Sequence, residues 1–301
     1  MGISSLLMRF YALTSHLDHF SENLGHAGQC VKFSRYFLLL SSGTRNVRTA
    51  IDLNCDLGEG MGSDSELLQI VSSANIACGA HAGDQHTMVA ALSAAKHCGV
   101  AVGAHPGYRD PEHFGRRPQS LDDNALQQLL HEQINTLKSH AEPVGTPLTH
   151  LRAHGALGNL TDADPEAARL LCAVASQQNL AIMTLGHSAA EKAAIEAGLP
   201  VIRQFFADRA YDRHGQLVSR QQSGSVLHEP ALIIPRLLSA LDSGKVTSLE
   251  GEAIPVSFDT ICVHGDTESA LALAAEVRHA LEQNGVTIRP YHLQSPRSFS
   301  P

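Results

Sequence analysis

The chain has 301 residues, with 22 Lys or Arg against 30 Asp or Glu, for a net charge of −8. Hydrophobic residues make up 43% and charged residues 17%, a balance that suits one large folded core and excludes a disordered chain. The absence of a basic run and of tryptophan excludes a nucleic-acid surface. No apolar stretch reaches the roughly 18 residues that a membrane span needs, so a cytoplasmic protein is expected.

Residues 1–49 carry FLLLSS and several basic residues but none of the pattern that follows. They are expected to form a poorly ordered N-terminal extension, with a single domain over 50–295 and a tail over 296–301. From residue 51 one unit recurs, a short apolar run ending in Asp, Asn, His or Gly and then a helical stretch. The runs are IDLNCD (51–56), SANIACGAH (73–81), GVAVGAHPG (99–107), LTHLRAHGA (148–156), LAIMTLGHS (180–188), PVIRQFFADRAY (200–211) and TICVHGD (260–266). VTIRPY (286–291) adds a shorter candidate strand. The stretches between them, HTMVAALSAAKHCG and NALQQLLHEQINTLKSHAE among them, place apolar residues three and four apart. Several end at Gly or Asn, as helices do. Strand alternating with helix predicts parallel strands joined by right-handed crossovers. The seven runs predict an irregular seven-stranded β/α (TIM-like) barrel. An open doubly wound sheet is the runner-up, but no GxGxxG turn follows the first strand. Ser219–Glu252 breaks the rhythm and predicts an excursion beside the barrel, with one helix around ALIIPRLLSAL.

In such a barrel the C-terminal strand ends share one mouth, where loops carry the chemistry. The first strand brings Asp52, Asn54, Asp56 and Glu59, and the second Asn75, His81 and Asp84. The third brings His105, followed by Arg116 and Arg117, and the fourth Arg152 and His154. His187, the group Asp208, Arg209 and Tyr211, and the pair His264 and Asp266 follow on later strands; His187 has a second reading as a helix cap. His81, His105, His154 and His264 each lie beside Gly, Ala or Pro, where backbone can approach a ligand. Their recurrence at equivalent strand ends predicts one shared pocket. Alternation puts Asp52, Asn54 and Asp56 on one face, the barrel interior. Carboxylates there need partners, and suit general acid/base work or metal binding. Asp52, Asp56, Glu59, His81, His105 and His154 are the candidate catalytic residues. Asn54, Asn75, Arg117, Arg152, Arg209 and His264 are candidates for holding substrate or phosphate, the arginines because their forks pair with either group. A metal, if the site uses one, would draw on Asp56, His81 and His105. The six cysteines form no CxxC pair and are expected to be reduced, with Cys55, Cys78 and Cys262 buried.

The motifs DLNCDLGEG, SSANIACGAHAGD, GAHPGY with FGRR, HGAL, FADRAY with LVSR, and CVHGD occur in that order. Together they resemble the LamB/YcsF family over about residues 51–290. The resemblance implies an irregular seven-stranded barrel of glycoside hydrolase/deacetylase type. It implies ATP-dependent opening of the 5-oxoproline (pyroglutamate) lactam to glutamate, by the A component of a 5-oxoprolinase that also needs subunits B and C. ATP would bring Mg with it. The chain departs from the family pattern in places. Arg152 and Ala153 stand where the family has Lys and Pro, Gly158 where it has Tyr, Gln204 where it has Glu, and Ala80 where it has an aromatic residue.

No GxxxxGK[ST] loop is present, so ATP would meet an unconventional site or a partner protein. Two other readings stay open. One is a metal-dependent deacetylase or amidohydrolase using Asp56 with His81 and His105. The other is a non-catalytic lactam- or sugar-binding subunit, which the departures favour. Metal content and turnover separate them.

Overall fold

The computed structural model describes residues 49–265 and 270–291. The expected extension, Thr49 apart, and the expected tail lie outside the described residues, as does Asp266.

Seven parallel strands close into a barrel. They are β1 (Ala50–Leu57), β2 (Ser73–Ala77), β3 (Ala101–His105), β4 (Leu148–Leu151), β5 (Ala181–Leu185), β6 (Val201–Phe206) and, after an excursion, β9 (Thr260–Cys262). β9 pairs with β6 on one side and with β1 on the other, in the register Asp52↔Thr260 to Asn54↔Cys262, which seals the ring. A two-residue strand, β10 (Thr287–Ile288), adds to the start of β1. All seven expected runs became barrel strands, and VTIRPY supplies β10.

Helices cover the outside, and their limits follow local chemistry. α1 is a single turn, Asp64–Leu67. α2 (Gln85–Cys98) starts at Asp84, whose carboxylate accepts from Thr87 N while Thr87 Oγ1 takes the Asp84 N–H; it stops at left-handed Gly99. Asp84 is therefore a helix cap. α3 (Asp123–Val144) is capped by Asp122 and ended by Gly145. α4 (Gly155–Ala163) leads into α5 (Pro165–Gln178), which begins with Asp164 as cap and Pro165 in the first turn and ends at left-handed Asn179. α6 (Ala189–Glu196) is capped by Ser188, not by His187, which is an exposed left-handed residue before it. α8 (Ala270–Gln283) closes the ring of helices. Ile51, Leu53, Cys55 and Leu57 of β1 join the buried cluster beneath these helices. Each such side chain contributes roughly 1.5–3 kcal/mol by leaving water.

The excursion after β6 holds α7 (Pro230–Ser243) and an antiparallel pair, β7 (Lys245–Thr247) and β8 (Ala253–Pro255). Its first loop is tied down by Arg209, whose guanidinium donates to the Ser225 and Val218 carbonyls, the first at 3.2 Å. Two of the Arg209 nitrogens thus hold backbone of this loop.

At the N-terminal strand ends lies a cavity of about 420 Å³ lined by Ser73, Thr149, His150 and Tyr291. The expected histidine group sits at the other end of the strands.

Candidate active site

β1 alternation sends Asp52, Asn54 and Asp56 inward, and a hydrogen-bonded column fills the barrel along them. Asp52 lies lowest. Its Oδ1 accepts from Ser72 Oγ (2.6 Å) and Ser73 Oγ (2.7 Å), and its Oδ2 from Thr260 Oγ1 (2.5 Å). Asn54 donates to Thr260 Oγ1 (2.7 Å) and the Ile261 carbonyl (3.2 Å), and its Oδ1 accepts from Asn75 (3.0 Å) and Gln204 (2.8 Å). Asn75 also donates to Asp56 Oδ1 (2.8 Å), while its own oxygen faces His150 Nε2 at 2.8 Å. Every buried polar group in this stretch thus finds a partner except Gln204 Oε1.

At the mouth the column meets the histidines. Asp56 Oδ2 lies 3.5 Å from His105 Nε2. The same His105 nitrogen lies 2.9 Å from His154 Nδ1. His154 stacks flat on His81, with centroids 3.8 Å apart and planes 3° from parallel. Glu59 Oε1 sits 3.3 Å from His81 Nε2 and 3.6 Å from His154 Nδ1. The donor atoms of Glu59, His81, His105 and His154 all fall within 4.8 Å of one another, a set able to hold a metal ion. His264 and Asp208 form a neighbouring pair, Nδ1 to Oδ2 at 2.8 Å, with the imidazole stacked on Phe206.

Close backbone approach makes this convergence work. Gly58 (φ +73°) turns the chain out of β1, and a Cβ on Gly83 would come 2.4 Å from the Gly58 carbonyl. Gly115 (φ +62°) lets the Phe114 loop lie over the rings, because a Cβ there would meet His81 Cβ at 2.7 Å. The Phe114 ring stands edge-on to His81 and His154, at 5.7 and 5.3 Å.

Electrostatics follow the packing. Burial alone would raise the Asp56 carboxyl, but the charge and hydrogen bond of His105, the charge of His264 and the amide of Asn75 hold it below the usual carboxylate range. Burial, with the neighbouring His105 charge, pushes His81 down to about 3 and holds His154 well below an ordinary histidine. Asp208 is desolvated too, yet His264 keeps it low.

The LamB/YcsF family model matches residues 51–295. This chain belongs to the LamB/YcsF family. It is 44% identical over 251 residues to a Rhodopseudomonas palustris protein named as the A component of 5-oxoprolinase, covering 81% of this chain and 98% of that one. A Natranaerobius thermophilus protein of the same name is 41% identical over 246 residues, covering 79% and 96%. A crystal structure of a lactam utilization protein from Thermus thermophilus superposes with a TM-score of 0.74 at 38% identity, covering 80% of this chain and 99% of that one.

Within this LamB/YcsF chain the expected residues separate into three groups. Asp56, Glu59, His81, His105 and His154 converge at the mouth, with His264 in the pair beside them. Asn54 and Asn75 belong to the column below. Asp52 is corrected: both of its oxygens accept from hydroxyls at the bottom of that column, so it braces β1, β2 and β9. Arg117 is exposed and lies outside the buried cluster. Arg152 is buried, with Nη1 3.4 Å from Asp162 Oδ2 and its guanidinium 5.6 Å from the Phe206 ring centre. Sequence reasoning missed Phe114, whose carbonyl faces His154 Nε2 at 2.9 Å, and Gln133, whose amide grips both the N–H and the carbonyl of Gly107. A polar residue on the buried face of α3 was the available signal for Gln133.

Two departures from the family pattern gain a local reason. Gln204 donates to Asn54 inside the barrel, a bond that an ionised glutamate could not make. Gly158 packs so closely that a Cβ would come 2.5 Å from the backbone carbonyl of residue 153, which leaves no room for a side chain at 158 in this backbone arrangement.

The depressed histidines make acid sensitivity predictable. The unfolded chain protonates them near pH 6.5, whereas the folded protein keeps them neutral to much lower pH, to about 3 for His81. The unfolded state therefore binds more protons below roughly pH 6.5, and stability falls as pH falls. Each such group contributes a slope on the order of 1 kcal/mol per pH unit. Urea unfolding of chelator-treated protein between pH 7 and pH 5 should show this loss, and a flat profile would contradict the neutral burial of His81 and His154.

Proposed function

We propose that this chain is the A component of an ATP-dependent 5-oxoprolinase, opening the lactam of 5-oxo-L-proline to give L-glutamate at the barrel mouth. Full-length similarity to proteins named as that component carries the reading. The mouth has the chemistry that the reaction asks for. Transfer of a phosphoryl group from ATP to the lactam oxygen releases ADP and activates the ring carbon. Water adds to that carbon, its proton passes to Asp56, and the C–N bond breaks as the ring nitrogen takes up a proton. A second water releases phosphate and leaves glutamate. Asp56, held below the usual carboxylate range, is ionised, at some cost in basicity. The buried imidazoles of His81 and His154 would bind the substrate in a site of low dielectric. Arg152 and His264 stand near enough to the mouth to meet the carboxylate or phosphate.

ATP, with its Mg, is the co-substrate in this reading. The chain lacks a familiar phosphate loop, so the nucleotide is placed against partner subunits B and C as well as the mouth. The setting is cytoplasmic, where ATP is available; no described helix is long and apolar enough to cross a membrane. Reconstitution tests the whole reading. The chain with candidate B and C subunits should form glutamate from 5-oxoproline only when ATP is present, and the chain alone should not. Glutamate formation without ATP, or no turnover in the complete assembly, would overturn it.

A further inference from the structure

The tautomers of two histidines lead to a ligand. His105 Nδ1 lies 2.7 Å from the Arg152 carbonyl, and His154 Nε2 lies 2.9 Å from the Phe114 carbonyl. A carbonyl only accepts, so each of these nitrogens carries the ring proton. With both rings neutral, the form a bound cation requires, the other two nitrogens, His105 Nε2 and His154 Nδ1, present bare lone pairs. They face each other at 2.9 Å. Glu59 Oε1 adds a third lone-pair donor 3.6 Å from His154 Nδ1 and 3.3 Å from His81 Nε2, and Asp56 Oδ2 adds a further anionic oxygen 3.5 Å from His105 Nε2. Acceptors crowded around one point repel unless something positive sits among them.

We propose that Glu59, His105 and His154 form a three-donor binding site for one divalent transition-metal ion of the zinc class, with His81 stacked on His154 as packing rather than as a ligand. The spacing fits: bonds of roughly 2.1 Å at the tetrahedral angle put neighbouring ligand atoms roughly 3.4 Å apart. The separations of 2.9 Å between His105 Nε2 and His154 Nδ1 and 3.6 Å between Glu59 Oε1 and His154 Nδ1 bracket that value. The outer shell fits too. A metal-binding histidine characteristically donates its second ring N–H to a carbonyl or carboxylate, which fixes the tautomer, and His105 and His154 both do so. The donor set also sets the metal class. Imidazole nitrogens with one carboxylate suit zinc, cobalt, nickel or iron, whereas magnesium and calcium select oxygen cages. Asp56 is left beside the ion, with a carboxylate oxygen at the mouth. The site does not rest on the lactam reading, since it would bind metal whatever the substrate.

Titration of chelator-treated protein with Zn²⁺ tests the site, followed by Co²⁺ as a spectroscopic probe. The expected result is one equivalent of Zn²⁺ bound per chain, and a Co²⁺ complex with the visible absorption of four- or five-coordinate nitrogen and oxygen ligation. His105→Gln/His154→Gln should weaken that equivalent by at least about 100-fold. Should the double variant fail to fold, Glu59→Gln replaces one oxygen isosterically and should weaken binding by at least about tenfold. No stoichiometric binding would overturn the proposal and leave the two rings sharing a proton instead. Binding that is unchanged in the folded variants would overturn it as well, by locating the ion among the surface histidines. Loss of metal binding in those variants, with the fold shown intact by circular dichroism, would support the site whatever happens to turnover.

Discussion

Asp56→Asn is expected to lower turnover of the reconstituted assembly by about 10²- to 10⁴-fold, the usual range for removing a positioned acid/base group. The substitution keeps size and shape, and an asparagine oxygen can still accept from Asn75, now 2.8 Å from Asp56 Oδ1. What disappears is the negative charge beside His105 and the ability to take a proton from water. Burial opposes that charge, and the charge and hydrogen bond of His105 with the charge of His264 restore it. Removing it relieves desolvation while unbalancing the histidines, so the folded state should persist with a thermal midpoint close to that of the parent. Steady-state rates with saturating 5-oxoproline and ATP, beside a melting curve, make the measurement. A variant within about tenfold of the parent would take Asp56 out of the mechanism. Asp52→Asn offers the contrast, because Asp52 binds three hydroxyls at the bottom of the column. Its loss should appear in stability before chemistry.

Gly103→Ala should be among the most destabilising single substitutions in the barrel, by about 3–5 kcal/mol if an overpacking strain and one broken buried hydrogen bond add. Gly103 is on β3, and a Cβ there would lie 2.2 Å from both Cδ2 and Nε2 of His150. That ring is buried and held by two hydrogen bonds. Its Nδ1 lies 2.8 Å from Thr149 Oγ1 and its Nε2 2.8 Å from Asn75 Oδ1. Displacing it leaves the Asn75 oxygen unsatisfied inside the barrel, and Asn75 is the residue that holds Asp56. A methyl group added well below the mouth should therefore cost activity as well as stability. Denaturant unfolding and turnover, measured on the same preparation, check both. Loss of less than about 1 kcal/mol would mean that β3 and β4 can separate slightly to admit it.

The barrel itself was readable in the sequence because its information is local. Each strand is a short apolar run with β periodicity, and each helix carries its own start and stop signals, such as Asp84 with Thr87, Asp164 with Pro165, or Gly99 and Gly145. Seven such units leave few closed arrangements for parallel strands with right-handed crossovers. The gathering of His81, His105 and His154 was readable for the same reason, since every parallel strand delivers its C-terminal end to one mouth.

Depth and orientation were not readable. Alternation told which face Asp52 and Asp56 share but not that one lies at the bottom of a hydroxyl-lined column and the other among imidazoles, because that depends on Ser72, Ser73 and Thr260 from other strands. FGRR drew attention to its arginines, yet Phe114 touches the histidines, and that choice rests on the left-handed turn at Phe114 and Gly115. Arg209 looked like an anion receptor, and what the sequence could not tell is that two of its nitrogens hold the carbonyls of a loop that only the fold brings over it. The pairing of ring nitrogens between His105 and His154 is set by two carbonyls, at Arg152 and Phe114, each 40 or more residues from the ring it fixes. Local periodicity and capping thus determined the architecture and the address of the site. Which atoms face one another there was decided by contacts between residues far apart in the chain, where hydrogen-bond satisfaction in a dry interior leaves a single workable arrangement.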